Sequence, residues 1–255
     1  MEHKKPKPAE KAVRRRVHRI MAPYRGDPDY NAAAHLLTDV FVGGDPATIR
    51  AACRDLMYAH LSTRERLPLL DVFYRDIFAV TGPPRRLLDL ACGLNPLAFP
   101  WMDLPATGTD FIAYDIHEPR INFLNPYFIL QGRPPLAFLK DLAAEPPVES
   151  GDVALFLKEM PRFERNYPGH GRALLEALDV RWLVVSFPTI STHGGRNLTN
   201  RYREFFHQNV DLSLIHISEP TRLLSILYAV FCLKKKNHHD TSHRGHSTPP
   251  QHTND

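Results

Sequence analysis

Leu87-Leu88-Asp89-Leu90-Ala91-Cys92-Gly93 is the stretch on which the fold turns. Its first four residues are almost wholly apolar, and Thr81-Gly82-Pro83-Pro84 bounds them from behind. A run so short, closed by turn residues, reads as a strand buried on both faces. Four similar runs follow, at Phe111–Ile116, Ala137–Leu139, Val153–Leu157 and Trp182–Phe187. The chain between them is about long enough for right-handed crossovers, so the five strands predict a parallel sheet in an α/β fold.

Ahead of Thr81 the apolar period is helical. Asp45 can cap a helix whose first residue is Pro46, and Ile49, Ala52, Cys53, Leu56, Met57, His60 and Leu61 fall on one face. Ser62 and Glu65 have capping-box spacing, but Pro68 would interrupt a helix begun there. A short turn and a new helix from Pro68 resolve the conflict, with Leu69, Leu70, Phe73, Ile77 and Phe78 inward. The Gly-Pro-Pro break is the predicted boundary between a helical unit, residues 1–82, and a sheet-bearing unit, residues 83–210.

Charge is unevenly spread. Residues 1–25 carry nine Lys/Arg against two Glu, a net +7, whereas the whole chain is only +4. Residues 26–210 are net −4 and residues 211–255 net +1. Lys4, Lys5, Lys7 and Lys11, then Arg14, Arg15, Arg16 and Arg19, form a basic arm with a thin apolar stripe. Such an arm suits a polyanion, either nucleic acid or an acidic membrane surface, or else is a solvated tail. With 255 residues, 43% hydrophobic and 24% charged, the chain is neither disordered nor a disulfide mini-protein. Three cysteines without metal-ligand spacing suggest a reducing cytosol, and no signal peptide or membrane-spanning run is visible.

In open parallel sheets ligands bind beyond the carboxyl ends of the strands. Asp89, Asp115 and Asp141 stand at three successive strand ends. Gly93 lets the backbone approach a ligand, and Asp115, 22 residues later, stands where a carboxylate accepts ribose hydroxyls. Asp141-Leu142 stands where an adenine amino group can be reached. The G-x-G-x-x-G pattern that holds a pyrophosphate is absent. A nucleoside without phosphates and with a cationic amino-acid end fits better, and S-adenosylmethionine meets that description.

Leu88–Leu97 (LDLACGLNPL) resembles the first motif of the FmrO-type, aminoglycoside-resistance 16S rRNA methyltransferases. His60–Leu70 (HLSTRERLPLL) and Val184–Thr189 (VVSFPT) followed by Gly194-Gly195-Arg196 resemble the same family, from about residue 10 to residue 210. The resemblance implies a helical rRNA-binding domain ahead of a Rossmann-like, S-adenosylmethionine-dependent methyltransferase domain. It implies methylation of guanine N7 in the decoding A site, on the assembled small ribosomal subunit, giving aminoglycoside resistance.

By carry-over, Asp89 and Ala91, Cys92 and Gly93 approach the methionine moiety, Asp115 the ribose, and Asp141 and Leu142 the adenine. Ser62, Thr63 and Arg66 reach the methionine carboxylate, unless Arg66 is a helix-surface charge. Guanine N7 carries a lone pair and no proton, so no catalytic base is obligatory. Lys158 either positions the target base or is a surface lysine; Arg196 either touches RNA backbone or is a loop charge. The basic arm would meet rRNA phosphates. The implied protein is a cytoplasmic monomer with no metal and no membrane. A non-catalytic or inactive ribosome-binding protein, or a methyltransferase for another substrate, remains open.

From about residue 211 the pattern departs. Asp211–Arg222 (DLSLIHISEPTR) and Leu223–Lys236 (LLSILYAVFCLKKK) resemble translated sequencing-adapter DNA, and residues 237–255 are low in complexity. The expectation is therefore a sheet truncated at its C-terminal strands, with residues 211–255 disordered or ill-packed. An uncovered edge strand would follow, and with it aggregation.

Overall fold

The computed structural model describes residues 27–105, 107–188, 204, 215–218 and 228–235. The basic arm from Lys4 to Arg19, Arg196 and the histidines of the C-terminal tail lie outside the described residues.

Four helices come first among the described residues. Helix α1 spans Tyr30–Gly43, with the Asp29 carboxylate accepting from the Asn31 and Ala32 amides and Gly44 closing it in a left-handed conformation. Helix α2 spans Pro46–Ala59, and Asp45 caps it by accepting the Thr48 amide. A short α3, Leu61–Arg64, and a 3-10 turn at Leu67–Leu69 resolve the Pro68 conflict before α4, Leu70–Thr81. Gly82, with φ +76°, ends α4.

The sheet then follows as β1 (Arg86–Leu90), β2 (Asp110–Asp115), β3 (Ala137–Leu139), β4 (Gly151–Leu157) and β5 (Val180–Pro188). These five strands pair in parallel in the order β3-β2-β1-β4-β5. A 3-10 helix, Asn95–Trp101, crosses from β1 to β2, and α5, Glu118–Leu130, from β2 to β3. Helices α6, Met160–Asn166, and α7, His170–Ala177, connect β4 to β5.

Successive strand residues point to opposite faces, and both faces are covered. Leu87, Phe111, Val153 and Val184 pack into one core with α1, α2, α4 and α5. Leu88, Ile112, Ala154 and Val185 pack into a second core with α6 and α7. This two-sided burial is why the strands read as continuous apolar runs rather than alternating ones.

The expected truncation of the sheet is corrected. Strand β7, Tyr228–Lys235, pairs antiparallel with β5, and β6, Ile215–Ser218, pairs antiparallel with β7. The sheet therefore has seven strands, ordered β3-β2-β1-β4-β5-β7-β6. The physical reason is the edge of β5, whose unpaired amides and carbonyls are a template for any strand-forming segment in reach. Tyr228–Lys235 (YAVFCLKK) is aromatic and β-branched enough to take that place. Cys232 lies opposite Val184 and is fully buried, extending the core shared with the helical unit.

Candidate functional site

Three strand ends converge at the carboxyl edge of the sheet. Asp115 closes β2, and both of its carboxylate oxygens are engaged. Oδ2 accepts the Gly93 amide at 2.9 Å and the Arg120 guanidinium at 2.8 Å. Oδ1 accepts the His117 amide at 2.9 Å. A carboxylate offers about four acceptor positions. Among the described residues, one position on Oδ1 is thus left for a hydroxyl.

Asp115 stands where two adjoining clefts meet, and Ala91, Glu159 and Arg162 also line both. The first cleft is walled by apolar and aromatic side chains, Ile116, Leu142, Phe163 and Tyr167, with Asp141 and Asn166 among them. Asp141 bends the chain by accepting the Ala143 amide at 3.0 Å. The second cleft lies under the helical unit and is lined by His60, Leu61, Ser62, Gly93, Arg120 and Lys158.

The turn after β1 fits only a small residue. Gly93 has φ +56°, and a Cβ there would stand 2.8 Å from His60 Cε1. Ala91 also takes a positive φ, 52°. Burial and the Arg120 charge push the His60 imidazole down to about 4, so the ring packs as a neutral plate against the glycine.

Behind the turn lies a buried polar knot. Asn95 Oδ1 accepts Arg66 Nη2 at 2.8 Å and the Tyr74 hydroxyl at 2.6 Å, while its Nδ2 donates to Asp89 at 2.9 Å. Arg66 is 2% exposed and Asp89 1%. Burial raises the Asp89 carboxyl to about 7, against the bond from Asn95 and the Arg66 charge.

The sequence-derived set is therefore split. Ser62, Ala91, Gly93, Asp115, Asp141, Leu142 and Lys158 line the clefts. Asp89, Arg66 and Cys92 lie behind the Gly93 turn, and the Thr63 hydroxyl donates to the Met57 carbonyl at 2.7 Å. Arg66 is thus no helix-surface charge. Lys158 is no surface lysine either: it pairs with Glu65 of the helical unit, and burial lowers its pKa. Its backbone takes φ +67°, a strained value for a side chain of that size.

Sequence reasoning missed Glu159 and Arg162, which pair at 2.6 Å, and the aromatic wall of α6. Their position just past β4, the fourth strand end at this edge, was the available signal. It also missed Asp27, Arg120 and His117, whose place is set by packing between α1 and α5.

The comparisons with known proteins agree with this geometry. The profile of the family described as "Ribosomal RNA methyltransferase (FmrO)" matches residues 3–214. A 16S rRNA (guanine(1405)-N(7))-methyltransferase of Frankia casuarinae is 38% identical over 186 residues, 72% of this chain and 65% of its own length. The chain thus spans just under two thirds of that relative. A protein of the same name from Serratia marcescens is 35% identical over 205 residues, covering 80% of this chain and 75% of its own. Among solved structures, an rRNA methylase from Escherichia coli superposes with a TM-score of 0.71 at 31% identity, covering 92% of this chain and 86% of its own. The 16S rRNA methyltransferase RmtF in complex with S-adenosyl-L-homocysteine superposes at 0.74 with 30% identity and the same coverage.

Proposed function

Because the chain belongs to the FmrO family of ribosomal RNA methyltransferases, we propose that it methylates guanine N7 in the decoding A site of 16S rRNA, using S-adenosylmethionine. The substrate is the assembled small ribosomal subunit, and the outcome is aminoglycoside resistance. The observation that carries this reading is the junction of two clefts at Asp115, one aromatic-walled and one charged.

The chemistry of the lining fits the cofactor. The free acceptor position on Asp115 Oδ1 takes a ribose hydroxyl. Leu142, Ile116, Phe163 and Tyr167 offer flat apolar surface for adenine, with Asp141 at its rim. Ala91 and Gly93 carry the methionine moiety against Ser62, and Arg162 adds positive charge to the lining on the side its carboxylate would take. Asp89, Arg66, Thr63 and Cys92 act from behind, by holding the Gly93 turn.

When bound, S-adenosylmethionine supplies an electrophilic methyl on a cationic sulfur. A guanine N7 already carries a lone pair and no proton, so the chain would need to supply no base. The chain's work is orientation and exclusion of water at near-attack distance. Lys158, in the lining of the charged cleft, positions the target nucleotide.

Residues 1–82 dock on rRNA and residues 83–210 transfer the methyl. Lys4, Lys5, Lys7, Lys11, Arg14, Arg15, Arg16, Arg19 and Arg196 supply phosphate contacts. The enzyme acts as a cytoplasmic monomer without a metal. No helix among the described residues is long and apolar enough to cross a membrane.

Small subunits incubated with the protein and methyl-labelled cofactor test the proposal. After borohydride and aniline, which cleave at N7-methylguanine, primer extension should stop at a single decoding-site guanine. Label elsewhere, or label on free nucleosides and not on subunits, would sink it.

A further inference from the structure

One buried group of the charged cleft is not used by this mechanism. Arg120 is fully buried in the first turn of α5, where it joins two carboxylates from different parts of the chain. Nη1 donates to Asp115 Oδ2 at 2.8 Å, and Nη2 donates to Asp27 Oδ2 at 2.7 Å. Nε donates to the Tyr30 hydroxyl at 3.2 Å, and that hydroxyl in turn donates to Asp27.

Asp27 does not line either cleft. It stands just ahead of α1, and its side chain is 8% exposed. The His117 imidazole lies 3.6 Å from its Oδ2 and the His60 imidazole 4.0 Å from its Oδ1. Among the described residues Asp27 Oδ1 accepts no hydrogen bond.

We propose that Arg120 is a positioning residue that ties cofactor affinity to the seating of Asp27, at the start of the helical unit. The inference rests on the reading of Asp115 as the ribose carboxylate. The logic is an accounting of acceptor positions. Arg120 and the Gly93 amide fill Oδ2, so the carboxylate is held with Oδ1 toward the cleft. A guanidinium presents its donors in a rigid planar fork, so the direction of Nη1 depends on what holds Nη2. Asp27 holds it.

If Asp27 is lost, Arg120 keeps its charge but loses its second anchor. Nη1 can then leave its line to Asp115 Oδ2, the carboxylate is oriented by the Gly93 and His117 amides alone, and the hydroxyl position on Oδ1 is less firmly preformed. Coupling between the two sites is reciprocal by linkage. Cofactor binding should therefore protect the backbone around Asp27 and Tyr30, although neither touches the cofactor.

The test uses the full chain and S-adenosylhomocysteine as the probe. Calorimetry on wild type, Asp27→Asn and Arg120→Lys should give a dissociation constant raised about fivefold or more in both variants, within the usual range of coupling between sites. With subunits as substrate, the KM for the cofactor should rise in Asp27→Asn, whose side chain lines neither cleft, while kcat stays near that of wild type. Hydrogen exchange at residues 27–31 should slow on adding the probe to wild type and not in Arg120→Lys. A purely structural pair would change the melting temperature but not this ligand-dependent protection.

The outcomes separate the two readings. If wild type fails to bind the probe, the cofactor reading falls and this inference with it. If wild type binds and Asp27→Asn binds equally well, the cofactor reading stands and the relay is wrong. Asp27→Asn is nearly isosteric; should it nonetheless unfold, the exchange comparison in wild type with and without probe still decides, because unchanged protection at 27–31 refutes the coupling.

Discussion

Replacing Gly93 by alanine should destabilise the fold and disturb the cofactor site together. Two effects add. The first is backbone strain: φ at Gly93 is +56°, in the left-handed region. An L side chain there costs roughly 1–2 kcal/mol. The second is overpacking, because the new Cβ would stand 2.8 Å from His60 Cε1 and 3.4 Å from His60 Nε2. His60 is 8% exposed and its Nδ1 stands 3.4 Å from the Thr63 hydroxyl, so relieving the contact means shifting a packed ring. Forcing a methyl into a closed contact typically costs a further 1–3 kcal/mol, so the sum is roughly 2–5 kcal/mol.

The assay is urea unfolding of Gly93→Ala, His60→Ala and the double variant, alongside wild type. His60→Ala removes the steric partner but not the strain. The double variant should recover the overpacking share, giving a favourable interaction energy of roughly 1–3 kcal/mol, and keep the strain share. Cofactor affinity should fall in Gly93→Ala, because the Gly93 amide that orients Asp115 must move with the turn. If Gly93→Ala unfolds within about 0.5 kcal/mol of wild type, the size of a neutral surface substitution, the reading of this turn is wrong.

Asp89 predicts a pH signature. Its folded pKa, about 7, lies above the ordinary carboxylate value of 3.8. The folded state therefore holds a proton that the unfolded chain has released, and the contribution of this group to stability is full below about pH 4 and lost as pH rises to about 7. His60 slopes the other way, gaining stability as pH climbs from about 4 through the ordinary imidazole range. Asp89→Asn still accepts from Asn95, so the difference in urea midpoint between variant and wild type should widen in the variant's favour from pH 4 to 7; a constant difference would contradict the assignment. Ending the chain at residue 210 removes β6 and β7 and bares the β5 edge, so the shortened protein should aggregate or melt without cooperativity while the 255-residue chain melts cooperatively. Equal calorimetric transitions for the two would refute that. Reversing Arg14, Arg15 and Arg16 to Glu should weaken subunit binding and flatten its salt dependence while leaving binding of free cofactor intact; unchanged filter binding across a salt series would rule out a docking arm.

Much of the architecture was legible because it is written in local pattern. The five parallel strands follow from short apolar runs between turn residues, and each observed strand lies within two residues of its predicted limits at either end. Asp45-Pro46 announced α2 by cap chemistry alone. Helix α1 carries equally plain signals, an Asp29 cap, an Ala-rich start and a closing Gly44, and could have been read by the same rule. The last two strands were not legible in that way. Tyr228–Lys235 is apolar enough for a strand, but its neighbours carry no family pattern, and its partners, the edge of β5 on one side and β6 on the other, are set by tertiary pairing.

The site divides along the same line. The sequence by itself determined that carboxylates stand at successive strand ends, that a glycine turn follows the first strand, and that a nucleoside without phosphates suits them. Strand order and turn chemistry are local, so periodicity and spacing reveal them. Which of those residues face the cleft was decided by tertiary structure. Asp89 pairs in register with Ala113, two residues short of Asp115, and is engaged there by Asn95, whereas Asp115 at the end of its strand is held by Gly93 and Arg120. The partner that fixes Arg120 stands 93 residues away in sequence, at Asp27. No spacing rule reaches that far: a buried guanidinium takes its direction from whichever carboxylates the packed core brings to it.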